Sequence, residues 1–180
     1  AVNKVNFHIN RGEYLAISVP SGGGKSTILS ILGLLDSPTE GEYFFKGKET
    51  SKLSRDELST IRNQEIGFIF QSFNLIENMS VLDNVMLPLV YRPGAKKSDV
   101  KARAIHCLEQ VGMAHRKNHS PTQLSGGQQQ RVAVARAMVT NPSIIFADEP
   151  TGNLDSKSAE TVMDLIKQQH ENGATVCIVT

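Results

Sequence analysis

The stretch Pro20-Ser21-Gly22-Gly23-Gly24-Lys25-Ser26-Thr27 decides how this chain of 180 residues is interpreted. It follows an apolar run at residues 14–19, typical of a buried strand, and precedes an apolar helical pattern at residues 28–35. Consecutive glycines let backbone N–H groups turn inward around phosphate oxygens, where a Cβ atom would obstruct the approach. The beginning of a helix adds a dipole that favours negative charge. The stretch therefore predicts a phosphate-binding loop.

The side chains of this P-loop predict how a nucleotide is held. We expect Lys25 to reach the β and γ phosphates, Ser26 to coordinate Mg²⁺ and Thr27 to bind the α phosphate. The rest of the predicted cradle consists of Ser21, Gly22, Gly23 and Gly24. The alternative, a glycine-rich turn with an exposed lysine, is disfavoured by the position of the stretch between a strand and a helix.

One position departs from the P-loop pattern. The pattern begins with a glycine five residues before its last glycine, and Val19 occupies that position here. If the position requires a glycine-like conformation, valine would strain the loop and weaken nucleotide binding.

Two adjacent acids, Asp148 and Glu149, follow the apolar run at residues 144–147. Strand alternation directs their side chains differently, so the two carboxylates can perform different tasks. Asp148 is predicted to hold Mg²⁺, and Glu149 to orient and polarise the attacking water. An isolated pair of this kind is often a solvated strand end, but the upstream P-loop favours a catalytic pair. A second acid directly after the metal-binding one favours hydrolysis over phosphate transfer.

A second helix is predicted to begin within Leu124-Ser125-Gly126-Gly127-Gln128-Gln129-Gln130-Arg131. Ser125 is a typical N-cap, and the two glycines after it leave the first N–H groups of the helix open to an anion. We include Ser125, Gly126, Gly127 and Gln128 among the predicted nucleotide-binding residues. The two phosphate-binding termini would serve one nucleotide together, or the second would serve a nucleotide held by a partner.

In sequence and in order, these motifs resemble those of ABC transporter ATPases, and the resemblance covers essentially the whole chain. LSGGQQQR is similar to the signature motif, and Asn153-Leu154-Asp155 is similar to the D-loop that crosses the dimer interface. Gln71 resembles the glutamine of the Q-loop, which implies a catalytic role at the lytic water and a contact with Mg²⁺. ADEPTGNLDS and LSGGQQQRVAVARA are similar to the branch that includes lipoprotein-releasing, macrolide-efflux and cell-division ATPases.

The expected fold is α/β. Short apolar runs at residues 14–19, 66–70, 144–148 and 175–180 are typical of parallel strands buried on both faces. The resemblance implies a RecA-like P-loop NTPase core with a small antiparallel β part and an inserted helical subdomain. We place an antiparallel strand at Val5, Phe7 and Ile9, which alternate with polar residues.

We expect one ATPase domain over residues 1–180, truncated at both ends. Residues 1–80 and 140–180 would form the core, and residues 81–139 the helical subdomain that carries the signature motif. The adenine-stacking aromatic and the switch histidine of the family would lie outside the chain, which implies weak activity for the fragment itself.

The resemblance also implies partners and a location. The chain would bind ATP and Mg²⁺ and pair head to tail with a second ATPase subunit, forming a homodimer. This dimer would dock on integral membrane permease subunits at the cytoplasmic, inner face of the cell membrane. The formal net charge is only +1, and acidic and basic residues are interleaved along the chain, so we expect no nucleic-acid partner. Two alternatives stay open at this point: a soluble ABC ATPase outside transport, and a slow nucleotide-gated scaffold, which Val19 makes worth keeping.

Overall fold

The computed structural model describes residues 2–20, 22–92 and 94–180. Within them lie six strands and six α-helices. The strands are β1 (Tyr14–Ile17), β2 (Phe44–Phe45), β3 (Lys48–Glu49), β4 (Ile66–Ile69), β5 (Ile144–Asp148) and β6 (Thr175–Val179). The helices are α1 (Lys25–Leu32), α2 (Arg55–Glu65), α3 (Val81–Val90), α4 (Lys97–Gln110), α5 (Gly126–Met138) and α6 (Ser156–Glu171).

The central sheet has the order β1-β6-β5-β4, and every pairing in it is parallel. Tyr14 is opposite Val176, and Ile144 is opposite both Thr175 and Ile66. All five residues of β6 are buried, as expected of a parallel strand covered on both faces. The four predicted parallel strands are confirmed, with β1, β4 and β6 each ending one or two residues earlier than predicted.

Two apolar layers cover the two faces of the sheet, and successive side chains of β5 point alternately into one layer and the other. Ile145 and Ala147 face a cluster formed with α3, α4, α5 and α6, whereas Ile144 and Phe146 face one formed with α1 and the β2–β3 hairpin. This arrangement of helices on both sides of a sheet buries both of its faces. Between residues 81 and 139, the described residues form α3, α4, α5 and 3₁₀ turns, and these three helices pack on one another.

The antiparallel part of the fold lies elsewhere than predicted. Phe44 pairs with Glu49, and Phe45 pairs with Lys48, in the β2–β3 hairpin. The strand predicted at Val5, Phe7 and Ile9 is wrong: these residues belong to no strand ladder, and Val5 and Phe7 are 53% and 46% exposed. Alternation describes which side chains face the core, but a strand also needs a neighbour for its backbone hydrogen bonds.

The helix after the P-loop also differs from its predicted bounds of 28–35. It begins at Lys25 and ends at Leu32, followed by Gly33 as the C-cap and by Leu34 at φ 58°. A Cβ atom on Gly33 would lie 1.9 Å from Cζ of Phe68, so this close approach to the sheet requires glycine. Together, the glycine and the left-handed Leu34 end the helix before the apolar pattern ends.

Two further observations concern the chain as a whole. Cys107 and Cys177 are free and buried, and burial raises the pKa of both thiols, that of Cys177 to about 11. Among the residues that the structure describes, no helix combines the length and the apolar character needed to cross a bilayer.

Candidate active site

The predicted site residues converge at one edge of the central sheet. The P-loop follows β1, Gln71 follows β4, and Asp148 and Glu149 stand at the end of β5. Because all four strands are parallel, these ends lie at the same edge, which is where ligands bind in open α/β sheets. The register confirms the alignment, since Ala147 is opposite both Ile69 and Ile178.

The P-loop turn leads directly into α1. Gly24 is the N-cap at φ 94° and ψ 22°, a left-handed conformation that favours glycine, and no side chain caps the helix. Lys25, Ser26 and Thr27 form the first turn of α1. The predicted cradle residue Ser21 lies outside the described residues. A helix start without a side-chain cap presents its N–H groups to an anion.

Val19 does not occupy the glycine-like conformation that its place in the pattern suggested. Its φ is not positive, its N–H donates to the carbonyl of Thr180 at 3.0 Å, and its side chain packs against the apolar layer on the α1 side. A Cβ atom on Gly23 would lie 2.7 Å from Cγ1 of Val19 and 2.9 Å from the carbonyl oxygen of Pro20. Val19 therefore carries no positive-φ strain, whereas a side chain at Gly23 would clash with Val19 and Pro20.

Lys25 and Glu149 form an ion pair across the site. Lys25 Nζ donates to Glu149 Oε1, and the two side chains are 21% and 29% exposed. Glu149 has a positive φ of 37°, which is strained for a residue other than glycine, and its N–H donates to the carbonyl of Val179 at 2.9 Å. The pair brings the predicted phosphate-binding lysine and the predicted general base into contact.

Asp148 lies beside this pair, and the single positive charge of Lys25 does not offset the burial of its carboxyl group and the charge of Glu149. Burial raises the pKa of its carboxyl group, the neighbouring Glu149 raises it further, and Lys25 lowers it in part. A site with two carboxylates and one ammonium group favours an added cation. The proposed ligands, the Ser26 hydroxyl, the Gln71 amide and the Asp148 carboxylate, offer the hard oxygen donors that Mg²⁺ prefers. Elsewhere in the described residues, as here, no group of three or more His, Cys, Asp or Glu side chains forms a metal cluster.

Gln71 is held against the segment that follows Glu149. Its Nε2 atom lies 2.5 Å from the place where a Cβ atom on Gly152 would stand, so a side chain at Gly152 would displace the end of the Gln71 amide. Asn153 Nδ2 donates to the carbonyl of Gln71 at 3.1 Å. The structure thus brings Gln71 together with Glu149 through residues 150–153.

The signature turn is on the Gln71 side of the site. Ser125 is the N-cap of α5, as predicted, and it forms a capping box with Gln128: the Gln128 N–H donates to Ser125 Oγ at 3.3 Å, and the Ser125 N–H donates to Gln128 Oε1 at 2.9 Å. The atoms nearest to a Cβ on Gly126 or Gly127 belong to Phe73, Asn153, Leu154 and Ser158. The capping box thus satisfies the N–H groups of Ser125 and Gln128, and those of Gly126 and Gly127 take no part in it.

Two polar residues of α5 that the sequence motifs did not assign to the site also reach it. Gln130 is completely buried and donates to the carbonyls of Phe70 and Pro150. Arg136 donates to the carbonyls of Phe73 and Asn74. The available signal was position: Gln130 lies on the same helix face as the apolar Ala133 and Val134, where a polar residue needs a specific partner.

Comparison with known proteins agrees with this geometry. A family profile described as ABC transporter matches residues 2–152. The macrolide export ATP-binding/permease protein MacB of Chlorobaculum tepidum is 49% identical over 180 residues, covering 100% of this chain and 27% of MacB. This chain therefore spans about a quarter of the length of that relative. An uncharacterized ABC transporter ATP-binding protein of Methanocaldococcus jannaschii, MJ1508, is 52% identical over 180 residues. The match covers 100% of this chain and 80% of MJ1508.

Solved structures show the same fold. The ATP-binding cassette MJ0796 of Methanocaldococcus jannaschii, in a dimeric post-hydrolysis state bound to ADP and Pi, matches with a TM-score of 0.89 and 50% sequence identity. The match covers 98% of this chain and 78% of that one. The predicted fold class, a P-loop NTPase core with a parallel sheet and a small antiparallel part, is confirmed.

Proposed function

This chain belongs to the ABC transporter family of ATP-binding proteins, and from that premise we propose that it hydrolyses ATP to power a membrane transporter or a related force-transmitting complex. One observation carries the proposal: Lys25 of the P-loop and Glu149 at the end of β5 are in contact. A phosphate-binding cation beside a carboxylate base is the pairing that hydrolysis of a terminal phosphate needs.

The residues of the site suggest an order of events. The P-loop amides and Lys25 bind the triphosphate, and Lys25 exchanges Glu149 for the β and γ phosphates. Glu149, released from the lysine, accepts a proton from the water that attacks the γ phosphorus, and Gln71 orients that water. The bond from the γ phosphorus to the bridging oxygen breaks, so ADP and phosphate leave. Ser26, Asp148 and Gln71 would hold Mg²⁺, which supplies positive charge to the phosphate oxygens.

We further propose that two copies pair head to tail. Ser125, Gly126, Gly127 and Gln128 of one copy would contact the γ phosphate held by Lys25 and Ser26 of the other. The solved relative MJ0796 is a dimer with ADP and Pi, which supports this arrangement. In the proposed domain plan, residues 1–80 and 140–180 hold the nucleotide and residues 81–139 carry the signature turn to the partner.

The membrane partner is proposed from the relatives. MacB is named an ATP-binding/permease protein, and this chain matches about a quarter of it. We therefore place the chain at the cytoplasmic face of a membrane, working with permease subunits or with permease segments of a longer chain. ATP binding would close the two copies, and hydrolysis would release them.

The decisive test is the Glu149→Gln variant. Phosphate release measures its hydrolysis, and the molecular mass in solution shows whether it forms a dimer. Removing only the charge of the base should leave MgATP binding intact, lower hydrolysis by about a hundredfold or more and accumulate an ATP-bound dimer. Glu160→Gln, the same change on the exposed face of α6, should behave like the parent. A parent that does not hydrolyse ATP contradicts the function, and an active Glu149→Gln removes that residue from the role.

A further inference from the structure

The completely buried carboxamide of Gln130 joins two strand ends of the site. Its Nε2 group donates to the carbonyl of Pro150 at 2.6 Å and to that of Phe70 at 3.3 Å. An amide turned the other way would place its oxygen against two carbonyl oxygens, so the chemistry of the acceptors determines its orientation. Pro150 directly follows Glu149, and Phe70 directly precedes Gln71.

In the part of the chain that the structure describes, the buried amide of Gln130 is hydrogen-bonded on its donor side only. No described residue donates a hydrogen bond to Gln130 Oε1, which is also buried. The unused acceptor costs free energy that offsets part of what the two donated hydrogen bonds contribute, although an apolar side chain would leave the carbonyls of Phe70 and Pro150 without this donor. Native structures keep such groups mainly where they serve a function.

A second residue of the same helix acts on the same loop. Arg136, nearly two turns after Gln130, donates to the carbonyl of Phe73 at 2.8 Å and to that of Asn74. Phe73 and Asn74 have positive φ angles of 60° and 50°, so this loop is bent and relies on contacts to keep its shape. Helix α5 therefore holds the chain on both sides of Gln71.

We propose that Gln130 is a positioning residue for hydrolysis. From the helix that begins at the signature turn, it fixes the carbonyls of Phe70 and Pro150 and thereby the positions of Gln71 and Glu149 relative to each other. The inference rests on the proposed ATPase function. It also means that a displacement of the signature turn reaches both catalytic side chains of the same copy through one buried amide.

The test is Gln130→Met, which keeps the length of the side chain and removes both donors. Because the P-loop is on a different element, the KM and the Kd for MgATP should stay within about twofold, whereas kcat should fall about tenfold or more. Gln168→Met, the same change at an exposed position of α6, is the matched control and should leave both constants at parental values. If Gln130 had a purely structural role, the Gln130→Met variant would have a lower melting temperature but would not lose kcat selectively at an unchanged KM.

Hydrogen exchange gives a readout that does not need hydrolysis. The N–H of Gly152 donates to Glu149 and the N–H of Phe73 donates to Phe70, so both report on the segments that Gln130 joins. In Gln130→Met these amides should exchange several times faster, while Ile28 of the P-loop helix, bonded to Gly24, should not change. If the parent shows no hydrolysis, the proposed function fails and the exchange rates still decide the role of Gln130.

Unchanged exchange at both amides, or a kcat within about twofold of the parent, would overturn the proposal. An equal loss of kcat and of nucleotide affinity would also overturn it. Should Gln130→Met not fold, Gln130→Leu also removes both donors without burying a charge, and the same loss of kcat with an unchanged KM is expected. If neither variant folds, the role is structural and the positioning role is rejected.

Discussion

The P-loop turn and the signature turn both begin helices with glycines, yet they treat their first amides differently. Helix α1 begins at the left-handed Gly24 with no side-chain cap, whereas α5 begins at Ser125 in a capping box with Gln128. The first turn leaves its N–H groups for a ligand. The second satisfies part of its own through the capping box, and in the proposed dimer its remaining groups would face the phosphate held by the other copy.

The glycines of the two turns differ in what surrounds them. Gly23 of the P-loop is enclosed by Val19 and Pro20, which belong to the same loop. Gly127 of the signature turn is enclosed by Ser158 of α6, 2.5 Å from the place of a Cβ atom. The shape of the P-loop is thus local, whereas the signature turn depends on a helix that follows the D-loop.

The largest effect expected from this comparison is that of Lys25→Ala. It should weaken MgATP binding by about a hundredfold or more, because the charge that holds the β and γ phosphates is lost. Calorimetry measures the affinity, with Lys101→Ala at an exposed position of α4 as the control. An unchanged Kd would mean that the P-loop amides bind the nucleotide without the lysine.

The next effect tests whether the signature turn serves a partner. Heterodimers of Lys25→Ala with Ser125→Arg, purified through two different tags, should contain one intact composite site and regain up to about half of the parental rate. Both mutant homodimers should be inactive. A heterodimer of the parent with the double variant has no intact composite site and should be inactive as well. If the heterodimer of the parent with the double variant is active and the heterodimer of the two single variants is not, the P-loop and the signature turn act on the nucleotide of the same copy.

The sequence reveals the chemistry of the site better than its packing. Strand β5 and the acids at its end follow from a buried apolar run, and Ser125 is recognisable as an N-cap from its residue type and the glycines after it. By contrast, Gln130 depends on which carbonyls the folded chain brings within reach of its amide. The local pattern at Val5 and Phe7 failed because no local rule shows whether a neighbouring strand is present.

A smaller effect, on stability, separates the two glycines of the signature turn. Gly127→Ala places a Cβ atom against Ser158 and should lower the free energy of unfolding by about 1–3 kcal/mol through overpacking. Gly126→Ala, whose new Cβ atom would have its nearest neighbour at 3.5 Å, should change it little. Urea unfolding measures both, and Ser158→Gly should recover part of the loss in Gly127→Ala. Equal losses in the two alanine variants would rule out Ser158 as the cause.

The smallest effect concerns Val19, where pattern and structure disagree. The P-loop pattern has glycine there, so Val19→Gly would tighten nucleotide binding if valine strained the loop. Because Val19 has no positive φ and packs against the apolar layer, we expect the Kd for MgATP to stay within about twofold, and stability to fall by about 1–2 kcal/mol as methyl contacts are lost and the unfolded chain gains freedom. Val19→Ala loses the same methyl groups without adding glycine's freedom, so it should lose less stability. Nucleotide binding that tightens about tenfold in Val19→Gly but not in Val19→Ala would show backbone strain at this position after all.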